Sequence, residues 1–450
     1  MSRYALRTPV TRAVGDRPSG EPHRPHPSPA EGPRRTPGNG SYRPPPERKL
    51  RRGGTGAFTA VAAVLVLFLA ASSAPSPLYV TYQQQWGFSA WVLTVVFALY
   101  VVGLLGALLT VGGLSDHLGR RPVLAGAIAL EMTALVLFLT AGNVVVLSVA
   151  RVLQGIATGA ATTTLSAALV DLEPARARGR AGVINSVTPL TGLAFGALGS
   201  GVLVEYGPAP TRLVYGMLFA GMGLAALFVT RMPETSQRRP GALASLRPKI
   251  AMPSHLRADI VPVIPAMIAG WALAGMYLSL GPSVAAQLLG LHSHLIGGVV
   301  VTLLAGSGAL AISLLRSRPA SGLLAPASAL LGLGTLVSLA GVTQSQALLS
   351  AAGTVVAGFG LGASVLAAFG TFTRIARPHE RSAVFTLANI INYLGNSVPA
   401  VLGGIAVTVL GLRTATEFYA TAIAVIAFAA LALCLNQLRT RRRTAEAPVE

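Results

Sequence analysis

Long apolar runs separated by short polar segments dominate this chain from residue 55 onward. A helix of about 20 mostly apolar residues is long enough to cross a bilayer. We predict twelve such helices, over residues 55–81, 90–111, 122–141, 144–170, 181–203, 213–230, 260–284, 295–315, 320–342, 346–373, 383–410 and 414–437. The pattern therefore predicts an all-α membrane protein with twelve transmembrane helices.

The polar segments divide the chain into two tails, two groups of six helices and a linker between the groups. The first 52 residues are rich in Pro, Arg, Gly and Ser, a composition that cannot bury a core. The prediction is a disordered basic tail over 1–52, six helices over 53–230, a linker over 231–259, six helices over 260–438 and a tail over 439–450. The basic run Arg316-Ser317-Arg318-Pro319 weakly repeats Gly119-Arg120-Arg121-Pro122 in the corresponding place of the second half.

Composition and charge narrow the class of protein. With 52% hydrophobic and 11% charged residues, the chain is too apolar for a soluble protein of 450 residues. The net charge of +20 is concentrated in the two tails and in alternate loops, on one side of the twelve predicted helices. This positive-inside pattern predicts a multi-pass protein of the cytoplasmic membrane with both termini in the cytoplasm, and no nucleic-acid partner.

The turn between the second and third predicted helices combines glycines with charges. Gly112 and Gly113 can end a helix, and Pro122 suits the first turn of the next one. Asp116 lies within reach of Arg120 and Arg121. Such a charged clasp can hold one conformation of a two-state protein and release it in another. The alternative is a tight turn that only anchors the topology.

This turn resembles the signature loop of the major facilitator superfamily. The residues that match it are Gly112, Leu114, Asp116, Gly119, Arg120 and Arg121, while His117 replaces the usual Arg or Lys. The resemblance covers about residues 55–437. It implies two pseudo-symmetric six-helix bundles that rock around a central cavity, and a gating function for Gly112, Asp116, Gly119, Arg120 and Arg121.

Two ionisable residues lie well inside predicted helices, where such groups are costly and often functional. Glu131 is in the third helix and Arg151 in the fourth, and counting roughly 1.5 Å per residue from the short loop between them places the two side chains at similar depths. They are close enough to pair, either as a static neutral pair or as a protonation switch. The pattern Arg151-x-x-Gln154-Gly155 is similar to a second superfamily motif, which the family links to proton coupling.

The fifth helix partly resembles a motif of drug:proton antiporters, with Pro189 and Gly192 in agreement and Thr188 and Leu193 not. Its Gly192, Gly196 and Gly199 recur at helical spacing, which favours close packing against a neighbour. The aromatic residues Tyr79, Tyr82, Trp86 and Trp91 are interpreted as a belt at the outer interface.

Polar and aromatic side chains inside the spans are the candidates for a substrate cavity. They are Gln154, Asn185, Trp271, Tyr277, Asn389, Asn392 and Asn396. The last three, at i, i+3 and i+7, share one helical face. They either line the cavity or bond neighbouring helices.

Several chemistries have no signature in this sequence. There is no phosphate-binding loop, no metal-ligand spacing, no nucleophile–base pair and only one cysteine, Cys434. We therefore expect a monomeric carrier rather than an enzyme, without metal or cofactor, that needs a small-molecule substrate, a proton gradient and membrane lipid. Proton-coupled efflux of a lipophilic drug or metabolite is the first hypothesis. The alternatives are an uptake symporter for a small metabolite or sugar, and a non-transporting receptor on the same scaffold.

Overall fold

The computed structural model describes residues 55–174, 179–236, 240–242, 256, 260–377 and 380–446. The predicted tail over 1–52, most of the predicted linker and the last four residues lie outside these ranges.

The described residues form α-helices joined by short turns. The α-helices are α1 (Thr55–Ser73), α2 (Tyr79–Trp86), α3 (Ala90–Thr110), α4 (Leu114–Leu118), α5 (Arg120–Thr140), α6 (Val144–Asp171), α7 (Arg180–Tyr206), α8 (Leu213–Arg231), α9 (Val263–Ser279), α10 (Gly281–Gln287), α11 (His294–Leu315), α12 (Leu324–Thr343), α13 (Ala347–Ile375), α14 (Arg381–Leu410) and α15 (Leu412–Glu446). A 3-10 turn, Ala320–Gly322, precedes α12.

Eleven of the described helices are long and apolar enough to cross a membrane. The twelfth span is the pair α9 and α10, which is bent by 57° at its break. The prediction of an all-α membrane protein with twelve transmembrane helices is thereby confirmed. Below, the motif side is the side at which the α3–α5 turn lies, and the far side is the opposite one.

Prolines account for two of the differences from the predicted helix bounds. The first helix stops at Ser73 instead of 81, since Pro75 and Pro77 cannot donate backbone hydrogen bonds. The seventh predicted helix breaks after Ser279, where Pro282 follows. At the other end of the chain α15 runs on to Glu446, well beyond the predicted end at 437.

Small residues let the helices pack closely. Between α12 and α13, Gly334, Gly341, Gly353 and Gly360 each face the backbone of the opposite helix so closely that an added Cβ would overlap it. In α7, Gly192 and Gly196 meet α1 in the same way, whereas Gly199 faces open space. Close backbone approach is the usual basis of helix association in membranes, where lipid is as apolar as the helix surface.

The first and second halves of the chain meet along the far side. There Gly201 of α7 packs against Gly298 of α11, and nearer the middle of α7 Thr302 Oγ1 donates to the Ala194 carbonyl at 3.0 Å. The Glu205 carboxylate at the end of α7 accepts the His294 backbone N–H at 2.8 Å, at the start of α11. Far-side contacts therefore hold α7 of the first half against α11 of the second.

The α12–α13 contact makes a direct prediction. Gly353→Ala should lower the free energy of unfolding by about 1–3 kcal/mol, because its Cβ would overlap the Ser338 backbone and force the helices apart. Gly126→Ala is the matched control, since this helical glycine of α5 has nothing within 4 Å of the added Cβ. Thermal unfolding in detergent should give a lower Tm for the first variant alone, and equal values would contradict the packing argument.

Candidate functional site: a central cavity and a buried polar network

The site begins at the break between α1 and α2. The carbonyl of Ala71 would normally accept from the N–H of residue 75, which is a proline. The Ser76 N–H bonds to the Ser73 carbonyl at 3.0 Å, so the Ser72 carbonyl also loses its helical donor. These groups lie inside the protein, where an unpaired carbonyl is costly, so other donors must reach them.

Those donors come from one face of α6. Gln154 Nε2 donates to the Ala71 carbonyl at 3.1 Å, and Arg151 Nη1 donates to the Ser72 carbonyl at 3.0 Å. Arg151 and Gln154 are three residues apart, which places them on the same helical face, and Arg151 Nη1 also donates to Gln154 Oε1 at 2.7 Å. The side-chain donors on the polar face of α6 thus satisfy the carbonyls at the broken end of α1.

Glu131 of α5 joins this network through Gln154. Gln154 Nε2 donates to Glu131 Oε1 at 3.1 Å, while Glu131 Oε2 is buried and has no partner among the described residues. Glu131 is 0% exposed and Arg151 1% exposed. The predicted proximity of the two charges is therefore observed, but Gln154 bridges them, and no direct ion pair joins these two described side chains.

Aromatic rings surround the Arg151 guanidinium. Its Cζ lies 4.6 Å from the Tyr100 ring centre and 5.9 Å from the Tyr79 ring centre, which are cation–π distances. Tyr79 and Tyr82 are almost fully buried, and Tyr82 donates to the Tyr215 hydroxyl at 3.2 Å. The interpretation of these two tyrosines as an interfacial belt is therefore wrong, because both side chains pack inside the protein core.

A small cavity of about 50 Å³ lies beside Arg151, between the two halves of the chain. Its lining comes from α1, α3, α6, α7, α9 and α14, and consists of Leu69, Ser72, Phe97, Tyr100, Val101, Arg151, Pro189, Leu193, Trp271, Leu278, Tyr393 and Asn396. Such a space can hold water, but ligand pockets usually measure roughly 300–1,000 Å³. In this conformation the lining side chains leave a space that is smaller than a usual ligand pocket.

Two of the predicted cavity residues line this space. Asn396 Nδ2 donates to the Trp271 carbonyl at 3.3 Å, and Trp271 Nε1 is buried without a partner among the described residues. The Trp271 and Tyr393 rings lie 6.2 Å apart. Gln154 is one contact away, behind Arg151. Trp271, Asn396 and Gln154 are thus gathered at one place.

The other predicted cavity residues lie elsewhere. Tyr277 lines a separate pocket within the second half, and Asn185 Nδ2 donates to the Ser166 carbonyl at 3.3 Å. Asn392 is buried with Oδ1 unpartnered among the described residues, whereas Asn389 is only half-buried. The shared face of the three α14 amides therefore brings only Asn396 to the central cavity.

Tyr100, Tyr393 and Ser72 are lining residues that the sequence analysis missed. A tyrosine in the middle of a span is a usable signal, because its hydroxyl needs a polar neighbour in hydrocarbon. For Ser72 the signal is the pair Pro75 and Pro77, because two prolines in a span imply a bend with exposed carbonyls that must line protein or a cavity.

The charged turn on the motif side is closely bonded. Arg120 Nη1 lies 2.6 Å from Asp116 Oδ1, and Arg120 Nε lies 3.3 Å from Asp171 Oδ2 at the end of α6. Arg121 Nη2 donates to the Thr230 carbonyl of α8 at 2.7 Å. These contacts tie the start of α5 to α6 and α8, all within the first half of the chain.

Glu234, which follows α8 in the chain, also bonds to this turn. Its carboxylate accepts the backbone N–H groups of Arg120 at 2.8 Å and Arg121 at 3.1 Å, at the positive end of α5. Gly119 has φ +104°, a backbone conformation that favours glycine, and an added Cβ would lie 2.7 Å from Glu234 Oε2. Both the backbone conformation and the lack of space therefore require glycine at this position. Gly112 has a similar constraint, because an added Cβ would lie 2.7 Å from the Leu108 carbonyl oxygen.

Comparisons with known proteins agree with this architecture. The sequence model of the Major Facilitator Superfamily matches residues 61–398. Multidrug resistance protein MdtL of Klebsiella pneumoniae is 28% identical over 174 residues, which is 38% of this chain and 42% of that protein's length.

Three solved structures share the fold over most of their length. The human organic anion transporter MFSD10 (TETRAN) has a TM-score of 0.61 and 17% identity, and the match covers 87% of this chain and 100% of that one. A bacterial homologue of the human lysosomal transporter Spinster, in an inward-facing, unoccupied conformation, has a TM-score of 0.64 and 15% identity, with 86% of this chain and 98% of that one covered. The nucleoside transporter NupG has a TM-score of 0.64 and 12% identity, with 84% of this chain and 99% of that one covered. The chain therefore belongs to the Major Facilitator Superfamily of membrane transporters.

Proposed function

We propose that this protein is a secondary transporter that exports a small lipophilic molecule across the cytoplasmic membrane in exchange for protons. The observation that carries the proposal is the state of the Glu131 carboxyl. One oxygen is held by Gln154, while the other is buried without a partner among the described residues.

A proton can bind at Glu131 Oε2 without displacing an existing hydrogen bond. In the ionised state, the negative charge is balanced through Gln154 by Arg151, because the two charges share this bridging amide. In the protonated state that balance is lost, and the positive charge of Arg151 is left facing the central cavity. One proton at Glu131 thus changes the net charge of the substrate site, which is what coupling requires.

The cavity lining supports efflux of a lipophilic cargo. Four of the lining residues are the aromatics Phe97, Tyr100, Trp271 and Tyr393, whereas the only charged or amide side chains among the described lining residues are those of Arg151 and Asn396. A sugar or similar polar metabolite would need more hydrogen-bonding partners than this. Uptake symport is therefore the weaker alternative.

The charge of the cargo follows from which ionisable group reaches the cavity. Arg151 lines it, but Glu131 is fully buried behind Gln154 and is not among the lining residues. A cationic cargo would face an arginine, and an anionic cargo would bind best with Glu131 protonated, so it would move with the proton instead of in exchange for it. The proposal therefore favours a neutral molecule with an aromatic part, which binds best when Glu131 is ionised and the charges are balanced. The name of one relative, a multidrug resistance protein, supports a lipophilic cargo.

The direction of opening follows from the far-side contacts. With the motif side assigned to the cytoplasm by the positive-inside pattern, α7 and α11 meet at the outer face. The proposed cycle rocks the two six-helix bundles about the central cavity and separates these contacts to release cargo outside. A non-transporting receptor would not need such a cycle, and a transport measurement distinguishes the two.

Glu131→Gln tests the coupling. Glutamine is close in shape and can still accept from Gln154, but it carries no proton to exchange. In proteoliposomes loaded with a neutral lipophilic dye, transport driven by a pH gradient should fall to the level of protein-free vesicles, while dye exchange without a gradient continues. Glu417→Gln is the matched control, because this exposed glutamate at the far end pairs only with its neighbour Arg413 in the described structure.

A gradient response in Glu131→Gln equal to that of the unaltered protein would remove Glu131 as the coupling residue. Absence of any dye movement in the unaltered protein, across neutral and anionic dyes, would count against export and favour uptake or a receptor.

Asp116→Asn tests the charged turn. Asp116 is largely exposed, so its pair with Arg120 contributes only about 0–1 kcal/mol to stability and the Tm should barely change. If the turn acts as a gate, the rate of dye transport should nevertheless fall, because the charge contact that favours one conformation is lost. Undiminished transport at equal membrane insertion would leave the turn as a topology anchor alone.

A further inference from the structure

A second pocket, of about 190 Å³, lies wholly within the second half of the chain. It is enclosed by α9, α10, α11, α12, α13 and α15, and it shares no lining residue with the central cavity. Tyr277, which the sequence analysis assigned to the substrate cavity, belongs to this pocket instead.

The fold leaves this space for two reasons. The 57° bend between α9 and α10 turns α10 away from the axis of α9. The residues that face the space along several of its sides are small, among them Gly281, Ala285, Ala351 and Ala420. A straight helix with larger side chains would close the gap.

The wall is apolar except for a group of hydroxyls. No charged side chain is among the described residues that line the pocket. Tyr277 Oη lies 2.6 Å from Thr354 Oγ1 and 2.9 Å from Ser338 Oγ, and all three residues are buried. Polar groups that converge in an otherwise apolar pocket are the usual arrangement for orienting a small ligand.

The three hydroxyls of Tyr277, Ser338 and Thr354 can together form a further hydrogen bond to a ligand. Thr354 Oγ1 donates its proton to the Ser350 carbonyl at 2.8 Å, so it acts as an acceptor toward Tyr277. Each hydroxyl has one donor and two acceptor positions, so the cluster still offers acceptor positions to an incoming O–H. The proton of Ser338 Oγ is not committed by these bonds and can turn toward a carbonyl oxygen of a ligand.

We propose that this pocket binds a small neutral lipophile, about the size of one substituted aromatic ring, that carries a single hydroxyl or carbonyl group. An apolar cavity of about 150 Å³ is known to hold benzene, so this volume accepts a ring with a short substituent. The absence of charge among the described lining residues excludes ions, and the hydroxyls select one polar group. Leu348, 88% exposed at the far-side start of α13, borders the pocket and marks its entrance.

Photolabelling with a trifluoromethyl-diazirine benzyl alcohol tests the site directly, and it does not depend on transport. We expect saturable labelling of the unaltered protein in nanodiscs, mapped by mass spectrometry to α9, α12 and α13 and displaced by excess benzyl alcohol. Ala351→Phe should abolish the labelling, because the ring occupies the pocket. Ala352→Phe is the matched control, since the next residue is exposed and outside the lining.

Two further variants separate the parts of the proposal. Tyr277→Phe keeps the ring and removes the hydroxyl, so the apparent affinity should fall by about two- to tenfold, the loss of one hydrogen bond. Leu193→Trp fills the central cavity and should leave labelling unchanged. Labelling that does not saturate, that survives Ala351→Phe in folded protein, or that disappears in Leu193→Trp would overturn the site. Equal affinity in Tyr277→Phe would overturn the hydroxyl selection.

Discussion

The structure depends on one constraint: a backbone carbonyl that loses its helical donor inside a membrane must find another. Pro75 removes the donor for Ala71, and the turn that follows leaves the carbonyls of Ser72 and Ala74 without their helical partners. Side chains from two other helices replace the missing donors. Arg151 and Gln154 of α6 reach the first two carbonyls, and Ser200 Oγ of α7 donates to that of Ala74 at 2.6 Å. The polar centre of the first half is thus a consequence of two prolines.

The same constraint acts in the second half and connects it to the first. Pro282 removes the helical donor of the Leu278 carbonyl, at the break between α9 and α10. Ser76, in the turn after α1, replaces that donor at 2.6 Å across the two halves. Leu278 also lines the central cavity, so the cavity lies between two proline breaks that are hydrogen-bonded to each other. The central cavity is therefore placed where the backbone itself is irregular.

The sequence was sufficient for the membrane fold, because apolar length and charge sidedness are properties of single segments. It also predicted that Glu131 and Arg151 lie close together, since the short loop between their helices fixes the depth of each side chain in the membrane. It could not show that Gln154 would bridge them, because this depends on which carbonyls the α1 break presents to α6. Nor could it separate Tyr277 from Trp271, since two residues on one helix reach different pockets once that helix packs against α12 and α13. The segment Met232-Pro233-Glu234-Thr235 also resembles the superfamily, but the sequence could not show the role of Glu234, because its partners are backbone N–H groups of a helix far away in the chain.

The inter-half bond from Ser76 to Leu278 bears on how the molecule moves. If the bundles separate at the far side, this bond must break, and the Leu278 carbonyl then has neither a helical donor nor Ser76. An unpaired carbonyl is tolerated at membrane depth only where it meets water or ligand. Opening of the far side is therefore favourable only together with entry of water or cargo to the cavity that Leu278 lines. If the bundles separate there, the two proline breaks thus require a hydrogen-bond donor at the Leu278 carbonyl, independently of the charges at Glu131 and Arg151.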